Sequence, residues 1–161
     1  MGADLSGRRG VVPMSTIPHE KLYESLRLLV ESTEKWSESL DGTWDPLSFI
    51  QEFRTIRFGV GRRMGHTEMA LRLADEYAPG RSIYITSCGL DEREGAKRNF
   101  QKRMHRDYPV EVIADWKCPK ALEGRDVDLV VIDPASQMSR KAIQRIAKAL
   151  VSCQPLIVLI G

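Results

Sequence analysis

The sequence predicts an α/β fold, a mainly parallel sheet with helices on both of its faces. Three observations lead there. From residue 55 onward, short β-branched and aromatic runs alternate with segments of helical period. Two of those runs, VDLVVI at 127–132 and PLIVLI at 155–160, are near-continuously apolar instead of alternating, as strands covered on both faces are. The chain of 161 residues is 42% hydrophobic and 29% charged, enough for one ordinary core. No apolar run approaches the roughly 20 residues that a membrane crossing needs.

The elements follow in chain order. Residues 1–17 are rich in Gly, Pro, Ser and Arg with little to bury, and a disordered tail is expected. Its basic residues precede no apolar stretch, so no secretory signal is read, and Met14 is an alternative start. Residues 18–54 form an N-terminal helical segment ahead of an α/β domain at 55–161. There Leu22, Leu26, Leu29, Thr33, Trp36 and Leu40 recur at spacings of four and three, one face of a helix over 19–40 that ends at Asp41 and Gly42. Glu20, Lys21, Glu24, Arg27, Glu31 and Glu34 occupy the other face. The apolar face either packs on its own domain or offers a seam for a protein partner or self-association.

Asp45 before Pro46 is a capping carboxylate followed by proline at the first helical position, which starts a short helix running to Phe53. A strand at 55–60 comes next. The helix at 67–77 has Met69, Ala70, Leu73 and Ala74 on one face and ends before Pro79 and Gly80. SIYIT at 82–86 is a strand, 92–108 a long charged helix stopped by Pro109, and 110–114 and 127–132 are strands. A helix at 140–152 and a strand at 155–160 complete the reading.

Chemistry concentrates in GVGRRMGHT at 59–67, between the first strand and its helix. Ligands of open α/β sheets bind beyond the carboxyl ends of the strands. Phosphate there needs inward-pointing amides, hence glycines, and gains from the positive end of a helix. Gly61, Arg62, Arg63, Gly65, His66 and Thr67 are the candidate phosphate-binding residues. Against the pattern G-x-x-x-x-G-K-[ST], Val60 stands for the first Gly and His66 for Lys, while Gly65 and Thr67 match. Thr67 offers a hydroxyl for Mg²⁺. A carboxylate at the end of a neighbouring buried strand would hold the metal's water shell, and LVVIDPAS supplies Asp133.

VGRRMGHT resembles the variant phosphate loops of phage large terminases and related helicase-type ATPases, and more closely those of small phage-type P-loop proteins with Gly-His-Thr. The resemblance covers about residues 45–161. It implies a three-layer, RecA-like P-loop NTPase fold with an N-terminal helical extension, ATP with Mg²⁺ as cofactors, and work in viral nucleic-acid processing or packaging. By position, Gly65, His66 and Thr67 would contact phosphate, Thr67 and Asp133 the metal, and Asp133 would be the Walker B carboxylate. Where that family carries a glutamate base, this chain has Pro134. Gln137 is the candidate to orient water in its place. No nuclease segment is read, so a complete packaging motor is not expected.

His66 changes the site's electrostatics. A free imidazole, with a pKa of about 6.5, is mostly neutral at pH 7, whereas lysine is always charged there. Arg62 and Arg63 either supply the missing charge or are solvated loop residues. Weak nucleotide binding and slow or absent hydrolysis are therefore expected, with a catalytically degenerate regulator or structural partner as the alternative.

Net charge is +2, too little to argue for nucleic acid by itself. Its distribution is uneven. Lys97, Arg98, Lys102, Arg103, His105 and Arg106 lie on one predicted helix, Arg140, Lys141, Arg145 and Lys148 on another. Such stripes either meet a phosphate backbone or are solvated faces. Tyr108 and Trp116 stack on bases in the first case and are core in the second. Cys88, Cys118 and Cys153 form no CxxC pair, which argues against structural zinc and fits a reducing, cytoplasmic setting, the host's if the protein is viral.

Overall fold

The computed structural model describes residues 19–40, 42–59, 66–86, 111–114 and 120–161, the third-strand segment 111–114 by its main chain only. The expected tail at 1–17, the loop residues Gly61, Arg62, Arg63 and Gly65, and the basic helix at 92–108 lie outside the described residues, as do Trp116, Cys88 and Cys118.

The helices are α1 (His19–Glu38), α2 (Pro46–Phe53), α3 (His66–Tyr77) and α4 (Arg140–Ala149). The strands are β1 (Thr55–Phe58), β2 (Ser82–Thr86), β3 (Glu111–Ala114), β4 (Leu129–Ile132) and β5 (Leu156–Ile160). They form one five-stranded sheet in the order β1-β5-β4-β2-β3, with every neighbouring pair parallel. β5 thus lies between β1 and β4, pairing Ile56 with Val158 on one side and Val131 with Val158 on the other.

The apolar runs are explained by burial on both faces. Along β4, Leu129 and Val131 face α1 and α3, while Val130 and Ile132 face α2 and α4. β5 does the same, with Leu156, Val158 and Ile160 on the first face and Ile157 and Leu159 on the second. Two core layers result, one on each side of the sheet. α2 starts as expected, with the Asp45 side chain accepting from Ser48 N at 3.0 Å. Ser139 caps α4 in the same way, accepting from Ala142 N at 3.1 Å.

α1 packs on the domain, and its buried stripe differs from the expected one. Tyr23, Leu26, Val30 and Ser37 are buried, whereas Leu29 is 41% and Trp36 52% exposed. At about 100° per residue the buried arc is turned by about 70° from the 22-26-29-33-36-40 line. The reason lies in α3. Arg72 stacks on the Tyr23 ring at 3.8 Å and bonds Glu20 and Glu76, while Tyr23 donates to Glu76 at 2.6 Å. Tyr77 donates to Glu34. These polar contacts need Tyr23 and Glu34 turned toward α3, so Leu29 and Trp36 rotate outward. Trp36 then packs edge-on against Phe53 of α2, at 5.4 Å between ring centroids.

Candidate functional site

The carboxyl ends of β1, β5, β4 and β2 share one edge of the sheet because all of these strands run parallel. The chain leaves β1 for α3 on one face and leaves β4 for α4 on the other. Divergent connections of this kind open a crevice at the carboxyl edge, the usual ligand position in open parallel sheets. The strand ends are packed tightly there. A Cβ at Gly59 would meet the Gly161 carbonyl oxygen at 3.3 Å, and one at Gly161 would meet Ser136 N and Oγ at 3.3 Å. The turn after β4 therefore folds over the end of β5.

Strand parity decides where Asp133 points. It follows Leu129 and Val131 in alternation, so its side chain emerges on the α3 face. α3 begins at His66, which brings Thr67 to the same place. The Thr67 hydroxyl donates to Asp133 Oδ2 at 2.8 Å across 66 positions of sequence. Asp133 is 3% exposed, so the contact is screened from bulk water. The proximity on which the sequence reading depended is present.

A third group completes the cluster. Tyr84 on β2 donates its phenol to the same Oδ2 at 2.9 Å. Burial pushes the Tyr84 pKa up, and the adjacent Asp133 charge pushes it further, so the phenol remains a donor throughout the ordinary pH range. The Thr86 hydroxyl also hydrogen-bonds to Tyr84. In the sequence, Tyr84 is legible only as part of an apolar strand. The available signal was a single phenol in a strand buried on both faces, which needs a polar partner.

His66, the first residue of α3, carries a buried Nε2 that has no hydrogen-bond partner among the described residues. An unsatisfied buried nitrogen costs about 1–3 kcal/mol, which an arriving acceptor or donor would recover. Gln137 is exposed at the end of a single 3-10 turn, Ala135–Gln137, and Pro134 joins Asp133 through a cis peptide. Gly61, Arg62, Arg63 and Gly65 would lie between β1 and α3 but are outside the described residues.

The oxygen donors Thr67 and Asp133 fit Mg²⁺, which binds one or two protein oxygens together with phosphate and water. Among the described residues no group of three or more His, Cys, Asp and Glu side chains is placed to hold a metal alone. Two clefts lie elsewhere. One of about 370 Å³ sits at the amino edge around Arg81 and Arg125, and one of about 570 Å³ lies between α2 and α4, lined by Arg57, Ser136 and Arg140 among others. Neither includes Thr67 or Asp133. On α4, Arg140, Lys141, Arg145 and Lys148 are all exposed and make no ion pair among the described residues. No described helix is long and apolar enough to cross a membrane. Compared with models of known families and with curated protein sequences, the chain matches none.

Proposed function

We propose that the chain is a small P-loop-type protein of RecA-like fold that binds a nucleoside triphosphate with Mg²⁺ at the carboxyl edge of its sheet. The observation that carries this reading is the Thr67 to Asp133 hydrogen bond at the start of α3. A hydroxyl has one proton and two lone pairs. Thr67 can therefore keep its proton on Asp133 and still offer a lone pair to a cation. The first-turn amides of α3 supply the positive end of a helix to phosphate. His66, whose buried Nε2 has no partner among the described residues, adds a nitrogen at the same helix start. Mg²⁺, when bound, would neutralise phosphate charge.

Turnover is slow or absent in this proposal. Pro134 follows Asp133 and has no group able to take a proton from water. Gln137 would only orient the water. Pro134 and His66 together favour a second reading, in which the site binds nucleotide without hydrolysis and the protein serves a larger viral machine as regulator or structural subunit. The exposed cations of α4, with Lys97, Arg98, Lys102, Arg103 and Arg106 of the sequence, support a nucleic acid as the partner in either case.

Calorimetric titration with ATP and Mg²⁺ at several pH values is the test, with Thr67→Ala and Asp133→Ala as controls. Heat that disappears in both variants supports the site, and no heat from the unmodified protein at millimolar ATP ends the proposal. Phosphate release measured with and without DNA divides the two readings.

A further inference from the structure

We infer that Tyr84 positions Asp133, holding the carboxylate in the orientation a divalent cation requires at this site. The inference rests on the nucleotide-binding reading but concerns a residue which that reading leaves unused. Asp133 presents two carboxylate oxygens. Both described hydroxyl bonds, from Thr67 at 2.8 Å and from Tyr84 at 2.9 Å, fall on Oδ2. Oδ1 is therefore the oxygen that neither hydroxyl engages. An aspartate at a strand end has two rotatable bonds and would otherwise exchange its oxygens freely.

The two donors differ in rigidity and in chemistry. Thr67 belongs to the first turn of α3, directly after His66. Its hydroxyl has a second use as a cation ligand. Tyr84 sits in the interior of β2, between β4 and β3, with a ring that is 1% exposed and packed in the core with Leu129, Val131 and Val158. Its phenol acts on a cation through Asp133, whose Oδ2 it bonds. The arrangement is that of an outer partner which orients a ligating carboxylate, a role whose loss weakens metal affinity while leaving the other ligand contacts in place.

The test separates metal-dependent from metal-independent affinity. ATP is titrated calorimetrically into the protein and into Tyr84→Phe, once with Mg²⁺ and once with a chelator. Phenylalanine keeps the ring and its packing and removes only the hydroxyl. The expected result is a loss of roughly tenfold in the enhancement that Mg²⁺ confers, at the low end for such partners because Thr67 still holds Oδ2. Affinity without Mg²⁺ stays the same. Thr86→Val, which leaves the phenol but removes a hydroxyl that bonds to it, is expected to show a smaller loss of the same kind. An unchanged Mg²⁺ enhancement in the folded variants overturns the inference. So does an equal fall with and without Mg²⁺, which would make Tyr84 a structural residue only. If the unmodified protein binds ATP under neither condition, the nucleotide-binding proposal itself fails, a result distinct from both.

Discussion

Replacing Thr67 by valine tests the central contact without any ligand. Valine has nearly the same shape, so the helix start and the packing beside it are kept and the hydroxyl alone is lost. The bond removed is 2.8 Å long and ends on a carboxylate that is 3% exposed. A hydrogen bond to a charged acceptor contributes about 1.5–3 kcal/mol net, and water cannot easily replace the lost donor at this depth. Tyr84 still serves the same oxygen, which keeps the loss within that range. For a chain of this size each kcal/mol corresponds to roughly 2–4 °C in melting temperature, so a fall of about 3–12 °C is expected. Circular dichroism melts of the protein, Thr67→Val and Thr67→Ser provide the measurement, and serine should recover most of the loss because it restores the donor. A fall below about 1 °C for Thr67→Val would refute the reasoning, since a buried hydroxyl–carboxylate bond cannot be that weak.

Three further outcomes are expected. Leu26→Ala should cost about 2–5 kcal/mol in urea unfolding and Leu29→Ala only about 0.5 kcal/mol or less, because the first is buried and the second faces solvent; comparable losses would mean that α1 is turned the other way. Asp45→Ala should lower the melting temperature at pH 7. Hydrogen bonds from the Ser48 backbone and then its hydroxyl hold the Asp45 pKa below normal, so its contribution is present above the unfolded value near pH 4 and is lost as pH falls through the folded one. Melts of the two proteins from pH 7 down to pH 2 should therefore converge. Finally, burial and adjacent carboxylates raise the pKa values of Tyr23, Tyr77 and Tyr84, so at most one of the four tyrosines should ionise near pH 10 in the folded protein. Stability is then fully kept below pH 10 and falls as pH rises above it, which phenolate absorbance followed alongside a melt would reveal.

Much of the fold was legible in the sequence because its signals are local. Asp45 and Pro46 start α2, Pro79 and Gly80 follow the end of α3, and the unbroken apolar runs of β4 and β5 imply cover on both faces. The stripe on α1 was legible only in part. Its heptad spacing fits two overlapping faces, and the choice between them depends on Arg72, Glu76 and Tyr77, which lie some 50 positions away along the chain. At the site, Thr67 and Asp133 were each recognisable from their place after a strand. Tyr84 was not, since nothing in SIYIT says which residue its phenol meets.

Among the described residues, the sequence by itself determined the kinds of the main helices and strands, their order, and which residues stand at the carboxyl ends of strands, because period, caps and breakers act over a few residues. Only the tertiary structure decided that β5 lies between β1 and β4, that α1 turns Tyr23 inward, and that hydroxyls from α3 and β2 converge on one oxygen of Asp133. Those outcomes depend on strand order and side-chain parity across the whole sheet, which no local stretch of residues encodes.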